Sequence, residues 1–218
     1  MPCRGKDELM LYLSHRENKV KVLGPGNRYV IWVQGCKKRC KGCIFPEGQP
    51  LNKNGYWIDA KELMDEINST KNLTGVTISG GEPFLQSRGI AEFLKLIKDE
   101  TSLDVMIYSG YTLAELKCWN NVDVNYIIDN SDILIDGEYV EELNNNSIYR
   151  GSDNQVVHFL SNKYKPFAQI INNTKNRSLE FIYKNNALFT VGLPEKGFQS
   201  KFWQQVEKEV EKEYDKEK

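Results

Sequence analysis

The sequence predicts an α/β fold: an incomplete, TIM-like barrel of parallel βα units with a C-terminal hairpin-helix appendage. Three observations carry that expectation. Short β-branched and aromatic runs at 28–34, 75–79, 104–109 and 132–136 alternate with stretches of helical periodicity. Each run ends at a polar or glycine-containing turn, "QGC", "SGGEP", "SGY" and "DGEY" in chain order. Strand, helix, strand, helix builds parallel βαβ units with right-handed crossovers, and units that end near residue 136 are too few to close an eight-strand barrel, which takes roughly 200 residues or more.

The elements follow from local signals. "RYVIWVQ" is the first strand of the parallel set. In "DAKELMDEINST" (59–70), Asp59 is the expected N-cap, Glu62 closes a capping box, and Leu63, Met64 and Ile67 form an apolar stripe. "QSRGIAEFLKLIKDE" (86–100) repeats the pattern with Ile90, Phe93, Leu94 and Ile97, and Thr112 opens a shorter helix in "TLAELKCW". Residues 1–178 are expected to form the main domain, with a cysteine loop at 36–43. Residues 179–218 add an accessory segment: "LEFIY" and "ALFTV" pair around Lys184, Asn185 and Asn186, where asparagine suits positive φ, and a helix follows. Phe181, Tyr183, Phe189, Phe198, Phe202 and Trp203 make this segment the one expected to border the open side of the barrel or to meet a partner, with a plain packing role as an equal alternative. The final "KEVEKEYDKEK" reads as a solvated helix end.

Composition excludes several functions. The chain has 218 residues, with 29 Lys plus Arg against 30 Asp plus Glu, so its net charge of -1 gives no footing for nucleic-acid binding. No apolar run approaches the ~20 residues that cross a bilayer, and the N-terminus lacks the apolar core of a signal peptide. A cytoplasmic protein without a membrane or nucleic-acid partner is expected. Five cysteines, unevenly placed, do not make a disulfide framework; clustered thiols in a reducing compartment serve as ligands or redox groups.

Three of the five stand in "CKKRCKGC": Cys36, Cys40 and Cys43. Thiolates bind zinc, copper or iron-sulfur clusters, and a closed structural site takes four protein ligands. Here three are local, and Cys3, Cys118, His15 and His158 are isolated. Three ligands from one compact loop suit three irons of a [4Fe-4S] cluster whose fourth iron stays open to a small molecule, with a structural zinc site as the alternative. Of the remaining residues, Cys3 reads as a disordered terminal thiol, Cys118 as a buried small hydrophobe, His158 as a satisfied histidine and Arg28 as solvating a strand end. Trp32, Tyr108 and Tyr111 read equally as core or pocket wall. The four turns share the carboxyl edge of a parallel sheet, where such folds bind ligands.

"CKKRCKGC" matches the Cys-x3-Cys-x2-Cys signature of radical S-adenosylmethionine enzymes, and "SGGEP" (79–83) resembles the motif with which that superfamily holds the methionine amino group. More narrowly, "GPGNRYVIWVQGC", "YSGYTLAEL", "DILIDGEYVEEL" and "RGSDNQ" resemble the activating proteins of anaerobic (class III) ribonucleotide reductase, over residues 20–160. The resemblance implies a partial barrel of the radical S-adenosylmethionine type that binds a [4Fe-4S] cluster through Cys36, Cys40 and Cys43. It implies that Ser79, Gly80, Gly81 and Glu82 hold S-adenosylmethionine, with Glu82 accepting from its ammonium and the glycines letting it approach. Ser109 is implied to meet its ribose or carboxylate, and Asp136, Arg150 and Asn154 the far wall of its site. The implied activity is reductive cleavage of S-adenosylmethionine to a 5'-deoxyadenosyl radical, which takes hydrogen from a glycine of a partner: the large subunit of anaerobic ribonucleotide reductase or a related glycyl-radical enzyme. The implied electron donor is of the flavodoxin or ferredoxin type. This sequence departs from the pattern after Cys43, where "IFPEGQP" replaces the usual Asn-Pro pair. Two other readings stand beside the activase: a radical enzyme acting directly on a small molecule or peptide, and a non-catalytic iron-sulfur or zinc protein.

Overall fold

In the computed structural model, which describes residues 10–184 and 186–216, nine strands and six α-helices follow one another. The strands are β1 (Met10–Val20), β2 (Arg28–Val33), β3 (Tyr56–Asp59), β4 (Gly75–Gly80), β5 (Asp104–Tyr108), β6 (Ile133–Asp136), β7 (Val156–Phe159), β8 (Leu179–Lys184) and β9 (Ala187–Gly192). The helices are α1 (Ala60–Ser69), α2 (Ser87–Glu100), α3 (Leu113–Cys118), α4 (Val122–Asn130), α5 (Ala168–Asn173) and α6 (Phe198–Lys216).

The four strands expected from the sequence lie side by side and parallel, in the order β2, β4, β5, β6. The sheet extends beyond them. β1 pairs antiparallel with β2 and β3 antiparallel with β1, while β7 pairs antiparallel with β6 at the other edge, giving seven strands in the order β3-β1-β2-β4-β5-β6-β7. The fold is therefore mixed α/β with a parallel core and antiparallel margins, and the expectation of parallel units alone is corrected at its edges.

Alternation sorts the side chains of the core strands into two faces. Tyr29, Ile31, Val33, Val76, Ile78, Val105, Ile107 and Leu134 pack against the apolar stripes of α1, α2, α3 and α4. Each fully buried Ile, Leu or Phe of that layer contributes roughly 1.5–3 kcal/mol. Val30 and Trp32 face the opposite way, toward Val20, Leu23 and Val191; Met106, Ile133 and Ile135 also face it.

Local signals hold where they depend on neighbours. Asp59 caps α1 by accepting from the Lys61 amide at 2.7 Å. Glu62 does not close a box there; the capping box belongs to α3, where Thr112 and Glu115 satisfy one another. In the β8–β9 hairpin Asn186 takes φ of 58° as its turn requires, while Asn185 lies outside the described residues. Two readings of isolated residues are overturned. Cys118 is exposed, on the solvent side of a short helix. Arg28, far from solvating a strand end, is fully buried; its guanidinium donates to Asp104 at 2.7 Å, to the Val76 carbonyl at 2.6 Å and to Thr77 at 2.6 Å. Lys163 and the Tyr164 hydroxyl complete the surroundings of Asp104. Cys3 lies outside the described residues. Among those described, no helix is long and apolar enough to cross a membrane.

Candidate functional site

The site grows out of the carboxyl ends of the parallel strands. β2 runs into Gln34, Gly35 and Cys36, β4 into Gly80, Gly81 and Glu82, β5 into Ser109 and Gly110, and β6 into Gly137. Parallel pairing in register, Val33 beside Gly80 and Tyr108 beside Ile135, brings these ends level. One pocket is lined by Cys36, Cys40 and Cys43 together with Ser79, Gly80, Gly81, Glu82 and Ser109. Of the residues expected at the site from sequence, these eight meet.

Asp136 does not join them. Its carboxylate accepts from the Leu113 amide at 2.5 Å and stands 2.8 Å from His158 Nε2, so it anchors the start of α3 to β7, and the adjacent Gly137 lines the pocket instead. Arg150 and Asn154 are likewise set back. Arg150 donates to the Gln155 carbonyl and Asn154 to the Glu138 carbonyl, and Gly151 and Gln155 do the lining. Lys38, Ile44, Phe45 and Tyr139 also line the pocket and escaped the sequence reading, although Lys38 lies inside the cysteine motif itself.

Backbone bonds stitch the loops together. Gly81 N donates to Val33 O at 2.7 Å, Glu82 N to Gly35 O at 2.8 Å, Gly35 N to Gly48 O at 2.8 Å and Cys36 N to Gln49 O at 3.0 Å. This packing gives the glycines a reason different from the expected one. Gly80 has φ of 103°, and a Cβ there would stand 2.5 Å from the Val33 amide nitrogen; a Cβ on Gly81 would press on the Gly35 carbonyl and lie 2.7 Å from Gly48 O. The space that both glycines keep free is taken by the chain's own backbone.

Glu82 is the electrostatic centre. It is fully buried, Oε1 accepts from Phe84 N at 3.1 Å and Ser109 Oγ at 3.0 Å, and Oε2 accepts from Gly110 N at 2.8 Å. Burial pushes its carboxyl up to about 7, against the opposing pull of the Gly110 and Phe84 amides, the Ser109 hydroxyl and Lys38. Lys38 bridges the cysteine loop to the loop after β5, its Nζ 4.2 Å from the Tyr111 ring centroid and 3.7 Å from Glu115 Oε1. Tyr108 contributes a buried hydroxyl with no hydrogen-bond partner.

Cys36, Cys40 and Cys43 line the pocket together. A [4Fe-4S] cluster gives each thiolate its own iron, so three thiols spaced around one pocket suit it. Burial pushes Cys36 up and Cys40 up to about 11, and the Cys40 thiol stands 3.7 Å from Glu138 Oε1. Burial thus favours the neutral thiol at Cys36 and Cys40, and ligation must expel their protons.

Comparison with known proteins covers the stretch of chain that carries the three thiols and Glu82. The family described as 4Fe-4S single cluster domain matches residues 22–158. The anaerobic ribonucleoside-triphosphate reductase-activating protein of Escherichia coli (strain K12) is 33% identical over 147 residues, covering 64% of this chain and 92% of that protein. The chain belongs to this family. The member from Haemophilus influenzae is 31% identical over 156 residues, covering 68% of this chain and 97% of its own, and that of Enterobacteria phage T4 is 31% identical over 140 residues, covering 62% and 85%. Among solved structures, QueE from Escherichia coli overlaps 48% of this chain and 54% of its own at 16% identity and a TM-score of 0.41. The family match stops at residue 158, ahead of β8, β9 and α6.

Proposed function

We propose that this chain is a radical S-adenosylmethionine activase that installs a glycyl radical on a partner enzyme, anaerobic ribonucleoside-triphosphate reductase being the partner named for its relatives. The observation that carries the reading is the meeting of Cys36, Cys40 and Cys43 with Ser79 to Glu82 in one pocket, within a chain that spans nearly the whole of those relatives. The layer of α1 to α4 on one face of the parallel strands supports a partial barrel, with residues 1–178 as its domain and 179–218 as an accessory segment.

Cys36, Cys40 and Cys43 are the residues that would hold a [4Fe-4S] cluster, which when bound would supply the electron for reductive cleavage of S-adenosylmethionine to methionine and a 5'-deoxyadenosyl radical. Glu82 receives the cofactor's ammonium. A carboxylate offers about four lone-pair sites, three are occupied by chain donors, and the fourth, on Oε2, is free for one charge-assisted bond. Ser109 acts through Glu82, because its hydroxyl donates to that carboxylate and accepts from Tyr111 N. The buried Tyr108 hydroxyl is a second polar group left for a ligand. Trp32, Phe45 and Leu23 give the pocket an apolar lining that keeps water from a reactive radical. A flavodoxin- or ferredoxin-type donor and a cytoplasmic setting complete the reading.

Anaerobic incubation of the reconstituted protein with the reductase, S-adenosylmethionine and a reductant tests it. A doublet in the partner's electron paramagnetic resonance spectrum is expected only when all components are present. Turnover of a free small molecule or short peptide without any partner radical would replace the activase reading, and absence of cofactor cleavage would leave a non-catalytic metal protein.

A further inference from the structure

The segment beyond the family match is built into the pocket. Val191, 3% exposed, packs on Val20, Leu23, Val30 and Trp32, and the next two residues, Gly192 and Leu193, line the pocket that holds the three thiols. Phe45, which follows the cysteine loop, packs on the same cluster. The family region alone therefore leaves this apolar face, and one side of the pocket, without a cover from residues 22–158.

The cover is fastened along its length. Phe189 stacks on His15 with centroids 5.1 Å apart and ring planes 12° from parallel, and His15 lies 5.4 Å from Trp32. Lys21 N donates to Glu180 Oε1 at 3.1 Å. Past β9, Asn144 Nδ2 donates to Pro194 O at 3.2 Å, and Asn146 Nδ2 to Glu195 Oε1 at 3.0 Å. Arg177, just ahead of β8, donates to the Arg150 carbonyl and to Asn144. Such ties at both ends make a fixed wall rather than a free tail.

A second cavity of about 240 Å³ lies between this wall and the cysteine loop, bounded by Gly42, Tyr139, Glu141, Gly197 and Ser200. It shares Cys43, Ile44 and Tyr139 with the first pocket, so those side chains stand between it and the remaining thiols. Gly197 leaves its flank of the cavity open, since a Cβ there would meet nothing within 4 Å, whereas the space beside Gly42 is filled by the Glu141 side chain.

We infer that residues 179–184 and 186–200 form an access-restricting wall of the site, with Leu193 as its specificity-determining residue, and that they leave the cavity between 42–44 and 194–200 as the approach for an extended, glycine-bearing segment of the partner. The nature of the occupant rests on the activase reading; the wall does not. Leu193 excludes water and bulky groups from the thiol side, and a residue without a side chain is what passes Ile44 and Tyr139.

Two measurements separate these claims. In metal-free, full-length protein, iodoacetamide labelling of each thiol is followed by peptide mass spectrometry, with exposed Cys118 as reference in the same molecule. Leu193→Ala and Val191→Ala are expected to raise labelling of Cys36 and Cys43 relative to Cys118 by about threefold or more, and Leu193→Trp to lower it by a similar factor, because thiol reactivity follows access. Circular dichroism verifies the fold of each variant. Labelling within about 1.5-fold of wild type in all three variants overturns the wall. In the second measurement Ser200→Trp, which fills the cavity from its outer side, is expected to lower the partner's glycyl-radical yield roughly tenfold per cluster. Equal yields from wild type and Ser200→Trp overturn the approach route. If wild type forms no partner radical while the labelling pattern holds, the activase reading falls and the wall stands.

Discussion

Replacing Glu82 with glutamine tests the cofactor site through its pH dependence. The group is fully buried and its carboxyl is pushed up to about 7. An ammonium ligand binds the ionised form, so affinity must follow the ionised fraction and fall as pH falls through that value. From pH 7.5 to pH 6 that fraction drops about eightfold, and the dissociation constant of S-adenosylmethionine is expected to rise by the same factor. Glu82→Gln should abolish the slope and weaken binding at pH 7.5 by roughly 1.5–3 kcal/mol, the loss of one hydrogen bond to a charged group, since one lone-pair site remains open. Stability runs the opposite way. A carboxyl raised in the folded state stabilises fully below its unfolded value near 4.5, and that contribution, about 3 kcal/mol, is lost as pH rises through 7. Anaerobic calorimetric titration of the reconstituted protein at the two pH values, beside urea unfolding, measures both trends. A wild-type dissociation constant constant within about twofold, or a Glu82→Gln variant that keeps the wild-type slope, refutes the assignment.

Arg28→Leu should cost ~3 kcal/mol in urea unfolding, because it leaves Asp104 buried with only Lys163 and Tyr164 for company. Arg28, Lys163 and Tyr164 hold the Asp104 carboxyl below its ordinary value against the opposing effect of burial, so its stabilisation is present above the usual carboxylate range and is lost in acid; a wild-type unfolding curve unchanged below pH 4 would contradict this. Gly81→Ala should lower the urea midpoint by more than ~1 kcal/mol of stability, since the added carbon meets backbone. A loss confined to ligand affinity would restore the cofactor as the reason for that glycine. Replacing any of Cys36, Cys40 or Cys43 with alanine should prevent incorporation of the ~4 irons expected of one cubane, whereas Cys118→Ala should retain them by iron analysis.

Much of the site was readable before any coordinates, because its residues sit at strand ends. Four β-branched runs with a turn after each place "QGC", "SGGEP", "SGY" and "DGEY" on one edge of a parallel sheet, and eight of the residues expected there do line one pocket. Caps at Asp59 and Thr112 were equally legible, since a cap involves residues two or three apart. α4 was not, because Val122, Val124, Ile127 and Ile128 are β-branched and mimic a strand until Asn121 caps two of its amides. β3 and β7, four residues each, are too short to show a period, and β1 loses its apolar alternation after Leu13.

The remaining features depend on distant partners. Arg28 looks like a solvated strand end until Asp104, 76 positions away, arrives beside it. Asp136 sits in a motif at the right edge, yet the Leu113 amide and His158 turn its carboxylate aside. Gly80 and Gly81 announce a close approach, but that Val33, Gly35 and Gly48 make it, and not a ligand, is visible only once the loops stack. Leu193 carries no signal at all, being one apolar residue after a hairpin. Periodicity, caps and turns are interactions along the chain and are written in neighbouring residues; burial, charge pairing and the walls of a cavity are set by segments that meet only after folding.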